Sequence, residues 1–430
     1  MVRESGSEPD FHKEQTLSPA LAPFAVRSFR FQWPADLATS IGFEMEALIL
    51  GWYILTATGS VEWLVAFGAL MWAGAVLAPF LGMAGDRIGL RTLLCLTRGG
   101  YALLAAILTL LILTGRLEPW HVFVVYGIAG LMRPSDQAIR NVLIGQTMRP
   151  EVLMGAIGLS RTTADMAKVA GAFAGAGGVA LVGMGPAYVA VTALYVAAFL
   201  LSLGVARSRI HAAHASARDV LAGLKEGAHY VWAKPDLLGA FGIVFLVNLL
   251  AFPFALGLLP YAAKVVYDVG QTGLGYLAAA FALGALAGSL AISANYLALR
   301  AGRVMLWSCA AWFVAVVLFG QTRSLPFGLA LLFISGFAQS FCLIPVAVVM
   351  LRGAAEHMRG RVMGMRVLAV WGLPLGLLAS GPIITYLGYS ACTFIYAALG
   401  LAATFAIGYR LRRALWQPSA AANVQVPTTP

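Results

Sequence analysis

Apolar residues run through this chain in blocks of about twenty or more, the length an α-helix needs to cross the hydrocarbon layer of a bilayer. Six blocks lie near residues 31–57, 61–84, 92–114, 119–143, 153–182 and 185–205. Six more lie near 237–263, 272–298, 303–322, 325–350, 362–386 and 389–409. The breaks between blocks alternate in charge. Arg27, Arg30, Arg87, Arg91, Arg149, Arg300, Arg303, Arg359, Arg361, Arg410, Arg412 and Arg413 fall in one set, and only Arg116, Lys264 and Arg323 in the other. Because Lys and Arg mark cytoplasmic loops, this asymmetry predicts both termini in the cytoplasm and an even number of spans. The expected fold is an all-α membrane protein of about twelve transmembrane helices in two six-helix halves.

The predicted organisation is a cytoplasmic tail over 1–28, a first half over 29–205, a cytoplasmic linker over 206–234, a second half over 235–413 and a disordered tail over 414–430. Within the linker, Val220, Leu221, Leu224, Ala228 and Val231 recur at helical spacing, with Arg218, Lys225 and Glu226 elsewhere on the wheel. That is the pattern of a helix lying at the membrane interface. The halves echo each other: Pro134 and the run Arg149–Gly155 are matched by Pro345 and the run Arg359–Gly364 at nearly the same offset.

Composition sharpens this picture. The chain is 60% apolar and 11% charged, too few charges to cover a water-facing surface. Its 47 glycines suit close helix packing where lipid removes the hydrophobic drive for association. The net charge of +11 is spread over short loops and not gathered in a stripe with aromatics, so no nucleic-acid partner is expected. Residues 1–28 carry Glu4, Glu8, Asp10, Lys13 and Glu14 and lack the order of a signal peptide. Cys95, Cys309, Cys342 and Cys392 stand far apart in apolar runs, and the six histidines fall in tails, loops or span ends. No metal, cofactor, phosphate loop or catalytic constellation is predicted, and a soluble enzyme is excluded.

Ionisable residues inside spans are functional candidates by default. The first span holds Asp36, Glu44 and Glu46. Glu44 and Glu46, two apart and so roughly 200° around a helix, cannot both face one cavity, whereas Asp36, Ser40 and Glu44 can share a face. Burial disfavours the charged form of an acid, so Glu44 or Glu46, and less readily Asp36, is the candidate proton carrier; a static ion pair is the alternative. In the fourth span Asp136 can pair with Arg133 or Arg140; in the fifth, Arg161, Asp165 and Lys168 repeat the pattern. With Arg98, these residues predict a net positive central cavity suited to anionic substrates, unless they neutralise one another and the first-span acids. The second half offers Asn248, Asn295, Gln339, Ser340, Trp371 and aromatics instead, with Arg366 near a span end.

Between the second and third spans stands Gly82-Met83-Ala84-Gly85-Asp86-Arg87-Ile88-Gly89-Leu90-Arg91. This resembles the G-x-x-x-D-R-x-G-x-R loop of the major facilitator superfamily. The resemblance implies that Gly82, Asp86, Arg87, Gly89 and Arg91 form a cytoplasmic gate in which Asp86 latches one state of the transport cycle. The matching loop of the second half, Arg300-Ala301-Gly302-Arg303, lacks the acid. Within the superfamily, Gly51-Trp52, Leu55–Ser60, Glu226–Val231, Arg359–Gly364 and Pro374-Leu375-Gly376 are similar to the enterobactin-exporter and macrolide-efflux branch. That similarity implies proton-coupled export of a siderophore-like or amphiphilic drug-like small molecule by alternating access, from a monomer in the bacterial inner membrane. The fifth span departs from it, with Gly171-Ala172-Phe173-Ala174-Gly175 where antiporters commonly carry Gly-Pro. An importer or uniporter on the same fold is the first alternative, and a membrane scaffold or enzyme the second.

Overall fold

A computed structural model describes residues 22–76, 88–148, 150–206, 217–294 and 301–415. Both tails, Asn295 and the loop residues Gly82, Asp86 and Arg87 lie outside that set. The described residues form helices throughout, with no strand. Within a helix the backbone donors and acceptors are satisfied inside their own segment, as a lipid solvent requires. Nine helices are long and apolar enough to cross a membrane among the described residues.

The first half contains α1 (Arg27–Thr58), α2 (Val61–Leu70), α3 (Leu90–Leu113), α4 (Pro119–Thr147), α5 (Pro150–Ala172) and α6 (Met184–Ser202). After Ala172, α5 runs through one π turn, Phe173–Gly177, and ends with Gly178–Val182. Ser60 caps α2, its hydroxyl accepting from the Glu62 and Trp63 amides at 3.2 and 3.4 Å. Beyond Leu70 only a 3-10 turn, Ala73–Val76, is described. The second half contains α8 (Pro235–Leu250), α9 (Gln271–Ala294), α10 (Ala301–Gln321), α11 (Leu325–Gly353), α12 (Arg359–Ala369), α13 (Gly372–Leu387) and α14 (Tyr389–Arg410). Between the halves, α7 (Ala217–Ala233) meets α8 at 110°. Pro235 at the first position of α8 disfavours helical backbone at Lys234, which sets the corner.

One expected span is broken into pieces and another carries a local irregularity. The run at 237–263 is α8 followed by the short turns Phe252–Ala255 and Leu259–Tyr261 and a π turn at Ala262–Val266. Pro253 and Pro260 each remove an amide from the helical ladder there. The run at 362–386 is long and apolar enough to cross as one span, Glu356–Leu387, with a local irregularity between α12 and α13: Pro374 has no proton to give the Val370 carbonyl, which the Leu373 amide takes instead at 2.9 Å.

The repeat foreseen in the sequence extends to backbone angles. Gly183 opens α6 at φ 83°, ψ 170°, and Gly388 opens α14 at φ 85°, ψ 165°; only glycine adopts such a conformation without strain. The halves meet where α2 packs on α13 and α5 on α9. At the end of the bundle remote from Arg27 and Arg410, the Thr385 hydroxyl donates to Glu62 at 3.3 Å, and further into the seam between α5 and α9 the rings of Phe173 and Tyr276 stand edge-to-face at 6.3 Å.

Candidate functional site

Four charged side chains of the first half come together between α1, α3 and α4. Asp36 pairs with Arg98 and, at 3.5 Å, with Arg140. Asp136 pairs with Arg140 and, at 3.4 Å, with Arg98. Arg98 also donates to the Ser202 hydroxyl of α6 at 2.7 Å, and Arg140 to Ser40 at 3.1 Å. Two acids and two bases cancel. Burying a charge is tolerable only with a partner and good geometry, and Arg98, 1% exposed, has three. Arg98, Asp136 and Arg140 therefore form a neutral clamp with Asp36 and do not give the cavity a positive field.

The other arginine of α4 takes a different course. Arg133 lies over the Phe43 ring at 4.4 Å and over Trp72 at 5.4 Å, a cation–π setting. Close by, Glu46 is buried and accepts hydrogen bonds from the Tyr188 and Tyr195 hydroxyls of α6 at 2.6 and 2.7 Å. Between Glu46 and Arg133 is a void of about 10 Å³, also lined by Phe43, Met71, Tyr126, Ala129 and Gly130, about the space one water needs. Glu46 is thus an acid held by neutral donors with a cation within reach across a small gap. Glu44 points elsewhere: its Cβ packs on Gly171 of α5, and it is only partly buried. The two glutamates face different helices, as their spacing requires.

On α5, Asp165 is buried and paired with Arg161 at 3.5 Å and Lys168 at 3.2 Å, yet those cations keep 59% and 37% of their side-chain surface exposed. Arg366 of α12 feels the charge of Arg161 across the two halves. In the second half, Asn248 donates to the Val244 carbonyl of its own helix at 2.8 Å, and Gln339 is buried on α11. Of the loop signature, Gly89 precedes α3 at φ 87°, and Arg91 donates to the Leu203 carbonyl at the end of α6. Among the described residues no group of three or more His, Cys, Asp or Glu could hold a metal ion.

Residues 16–374 match the Major Facilitator Superfamily. The chain belongs to this superfamily. A major facilitator protein is a transporter and not an enzyme, and this one is a multi-pass membrane protein acting on a small molecule. The multidrug efflux pump Tap of Mycolicibacterium fortuitum is 31% identical over 393 residues, 85% of this chain and 91% of that one. Among solved structures, a POT family peptide transporter in an auto-inhibited state aligns with a TM-score of 0.70 at 13% identity over 90% of this chain and 97% of its own. The nucleoside transporter NupG aligns at 0.64 and 16% identity over 93% and 100%. Both share the fold alone with this chain.

Sequence reasoning passed over Tyr188, Tyr195, Phe43 and Trp72. The tyrosines had a signal: seven apart, they lie on one face of α6, two turns from each other. Phe43 and Trp72 had none, since an aromatic in a span looks the same whether it meets lipid or a guanidinium.

Proposed function

We propose that this major facilitator protein is a proton-coupled exporter of amphiphilic or siderophore-like small molecules in the bacterial inner membrane, with Glu46 as the proton carrier. One observation carries the reading. Asp36, Asp136 and Asp165 each have a permanent cationic partner, whereas Glu46 is buried with hydrogen bonds from two tyrosines and makes no ion pair among the described residues. A carrier must exist charged and neutral in turn, and a carboxyl held by hydroxyl donors keeps acceptable partners in both forms. Arg133 is the countercharge that approaches when Glu46 releases its proton, leaving Phe43 and Trp72. The likeness to a multidrug efflux pump supports export of amphiphiles. The partly exposed Arg161 and Lys168, with Arg366 opposite, favour substrates bearing a negative group.

With both termini cytoplasmic, as the arginine asymmetry argues, the contact between Glu62 and Thr385 closes the periplasmic end of a cytoplasm-open state. Asp86, with Arg87 and Arg91, latches the opposite state, and the protein works as a monomer. An importer or uniporter on this fold is the competing reading, and transport direction separates the two.

The deciding experiment follows proton movement by pH-sensitive fluorescence in inverted membrane vesicles while siderophores and amphiphilic drugs are added. Substrate-triggered proton release is expected from the wild type and from Glu44→Gln, and none from Glu46→Gln. Unchanged release from Glu46→Gln overturns the assignment of the carrier.

A further inference from the structure

Three elements bound the void beside Glu46. α1 brings Glu46 itself, α4 brings Tyr126 and Arg133, and Met71 follows the end of α2. Tyr126 and Arg133 are seven apart and so lie on one face of α4, two turns from each other. Tyr126 is 4% exposed. Its ring stacks on Phe67 of α2 at 4.3 Å, which fixes where its hydroxyl stands. That hydroxyl makes no hydrogen bond of ordinary geometry among the described residues, though it is close enough to Arg133 and Glu46 to feel both charges, and Glu44 acts on it as well. A buried hydroxyl left without a bond is costly, so this wall of the void calls for a small polar partner.

A water in such a site needs two to four polar partners. Glu46, Arg133 and the Tyr126 hydroxyl supply three, and the rest of the lining is apolar. The three differ in kind. A guanidinium only donates, a hydroxyl donates or accepts, and a protonated carboxyl donates its proton. A water that accepts from Arg133 and donates to the Tyr126 oxygen keeps one lone pair and one proton free. Those are the two positions a relay needs. The Glu46 proton moves onto the free lone pair, the free proton of the water leaves, and the water is restored. Glu46 and Tyr126 are buried, while Arg133 and Met71 are only partly so, so the departing proton leaves on the Arg133 side. The carboxylate that remains keeps its bonds from Tyr188 and Tyr195 at 2.6 and 2.7 Å.

We infer that the void is a binding site for a single relay water and that Tyr126 is its positioning residue, orienting the water through which Glu46 gives up its proton. The inference deepens the carrier reading and rests on it.

The test is infrared difference spectroscopy on the full-length protein in lipid nanodiscs during exchange from H2O to D2O, with no substrate and no gradient present. The carboxyl C=O band that is missing from Glu46→Gln reports the Glu46 proton, and its shift on deuteration gives the rate at which that proton leaves. Tyr126→Phe removes one oxygen and keeps the stack on Phe67, so the band and the melting temperature should stay. The exchange rate should fall at least about tenfold, equivalent to about 1.4 kcal/mol in the barrier. Tyr101 of α3 is the control: its hydroxyl is equally buried and without a bond of ordinary geometry, but it does not line the void. Tyr101→Phe should exchange at the wild-type rate, which a general loosening of the half would not allow. A Glu46 band whose exchange is unchanged in Tyr126→Phe, or slowed equally in both variants, overturns the inference and leaves the carrier assignment standing. A wild type with no such band at any pH removes the carrier assignment, and the relay with it.

Discussion

The two halves are built on one fold but hold themselves together by different chemistry. In the first half, buried side chains pair with each other: Asp36, Arg98, Asp136 and Arg140 in the clamp, Glu46 with Tyr188 and Tyr195. In the second half, buried hydroxyls donate to backbone carbonyls, Tyr267 to Phe319 at 2.9 Å, Ser340 to Ala285 at 2.7 Å and Tyr396 to Gly376 at 2.6 Å. Helices of both halves approach closely at glycines, Gly171 and Gly175 in the first and Gly284 and Gly288 in the second. A bond between two side chains can be exchanged for another when a charge moves; a bond to a helix carbonyl is fixed with the helix. This difference is what the proposed mechanism requires, with charge moving in the first half against a second half fixed by backbone bonds.

The largest effect should come from breaking the clamp. Arg98→Met leaves two buried carboxylates sharing one arginine, and loss of one partner from a buried ion pair costs about 3–5 kcal/mol. A large fall in melting temperature in detergent is expected. Adding Asp36→Asn removes the surplus charge and leaves the Asp136–Arg140 pair intact, so the double variant should melt above Arg98→Met. If the double melts no higher than the single, the clamp is not acting as a balanced set. Glu46→Gln belongs to the other class: it keeps an acceptor for a tyrosine, and its melting temperature should move far less while proton release stops.

The second half should be most sensitive to volume. A Cβ on Gly288 would lie 2.8 Å from the Phe337 carbonyl oxygen and 2.9 Å from the Ser340 Cβ. Gly288→Ala must therefore push α9 from α11, at about 1–3 kcal/mol for overpacking. A matched Gly158→Ala in α5, where no atom lies within 4 Å, should be neutral or stabilising, since alanine exceeds glycine in helix propensity by about 1 kcal/mol. Equal destabilisation of the two variants would remove close approach as the reason for glycine at 288.

How much of this was legible depends on what each feature needs. Helix number and class follow from apolar run length, a local property, and the sequence carries it openly. The breaks at Pro253 and Pro260 and the irregularity at Pro374 were visible as residues but lay inside unbroken apolar runs, and hydropathy does not register a missing amide. The spacing of Glu44 and Glu46 foretold that they face different ways. It could not tell which meets a partner, because Tyr188 and Tyr195 are more than 140 positions along the chain from Glu46. Likewise helical spacings of three and four allowed Asp136 either Arg133 or Arg140. Arg98 and Asp36 decide the matter by completing a square with Arg140, leaving Arg133 to the aromatic rings.

The smallest expected effect is at the linker. Arg361 of α12 pairs with Glu226 of α7 at 2.6 Å, with side chains 42% and 54% exposed, and an exposed pair of this kind contributes about 0.2–1 kcal/mol. Other contacts hold the same junction: the Tyr230 hydroxyl accepts from the Ala355 amide at 2.9 Å, and Lys234 donates to the Gly353 carbonyl at 2.9 Å. Lys234 and the Ala355 amide also draw the Tyr230 phenol below its usual titration range, as favourable bonds to the ionised oxygen should. Glu226→Gln should accordingly leave the melting temperature within a degree or two, with any loss fading as salt is raised, since salt screens exposed charges. Tyr230→Phe removes the acceptor of the Ala355 amide and should cost more, about 0.5–1.5 kcal/mol, with little dependence on salt. If Glu226→Gln proves the more damaging of the two, α7 is docked by charge after all, and the contrast drawn between the halves does not extend to the segment that joins them.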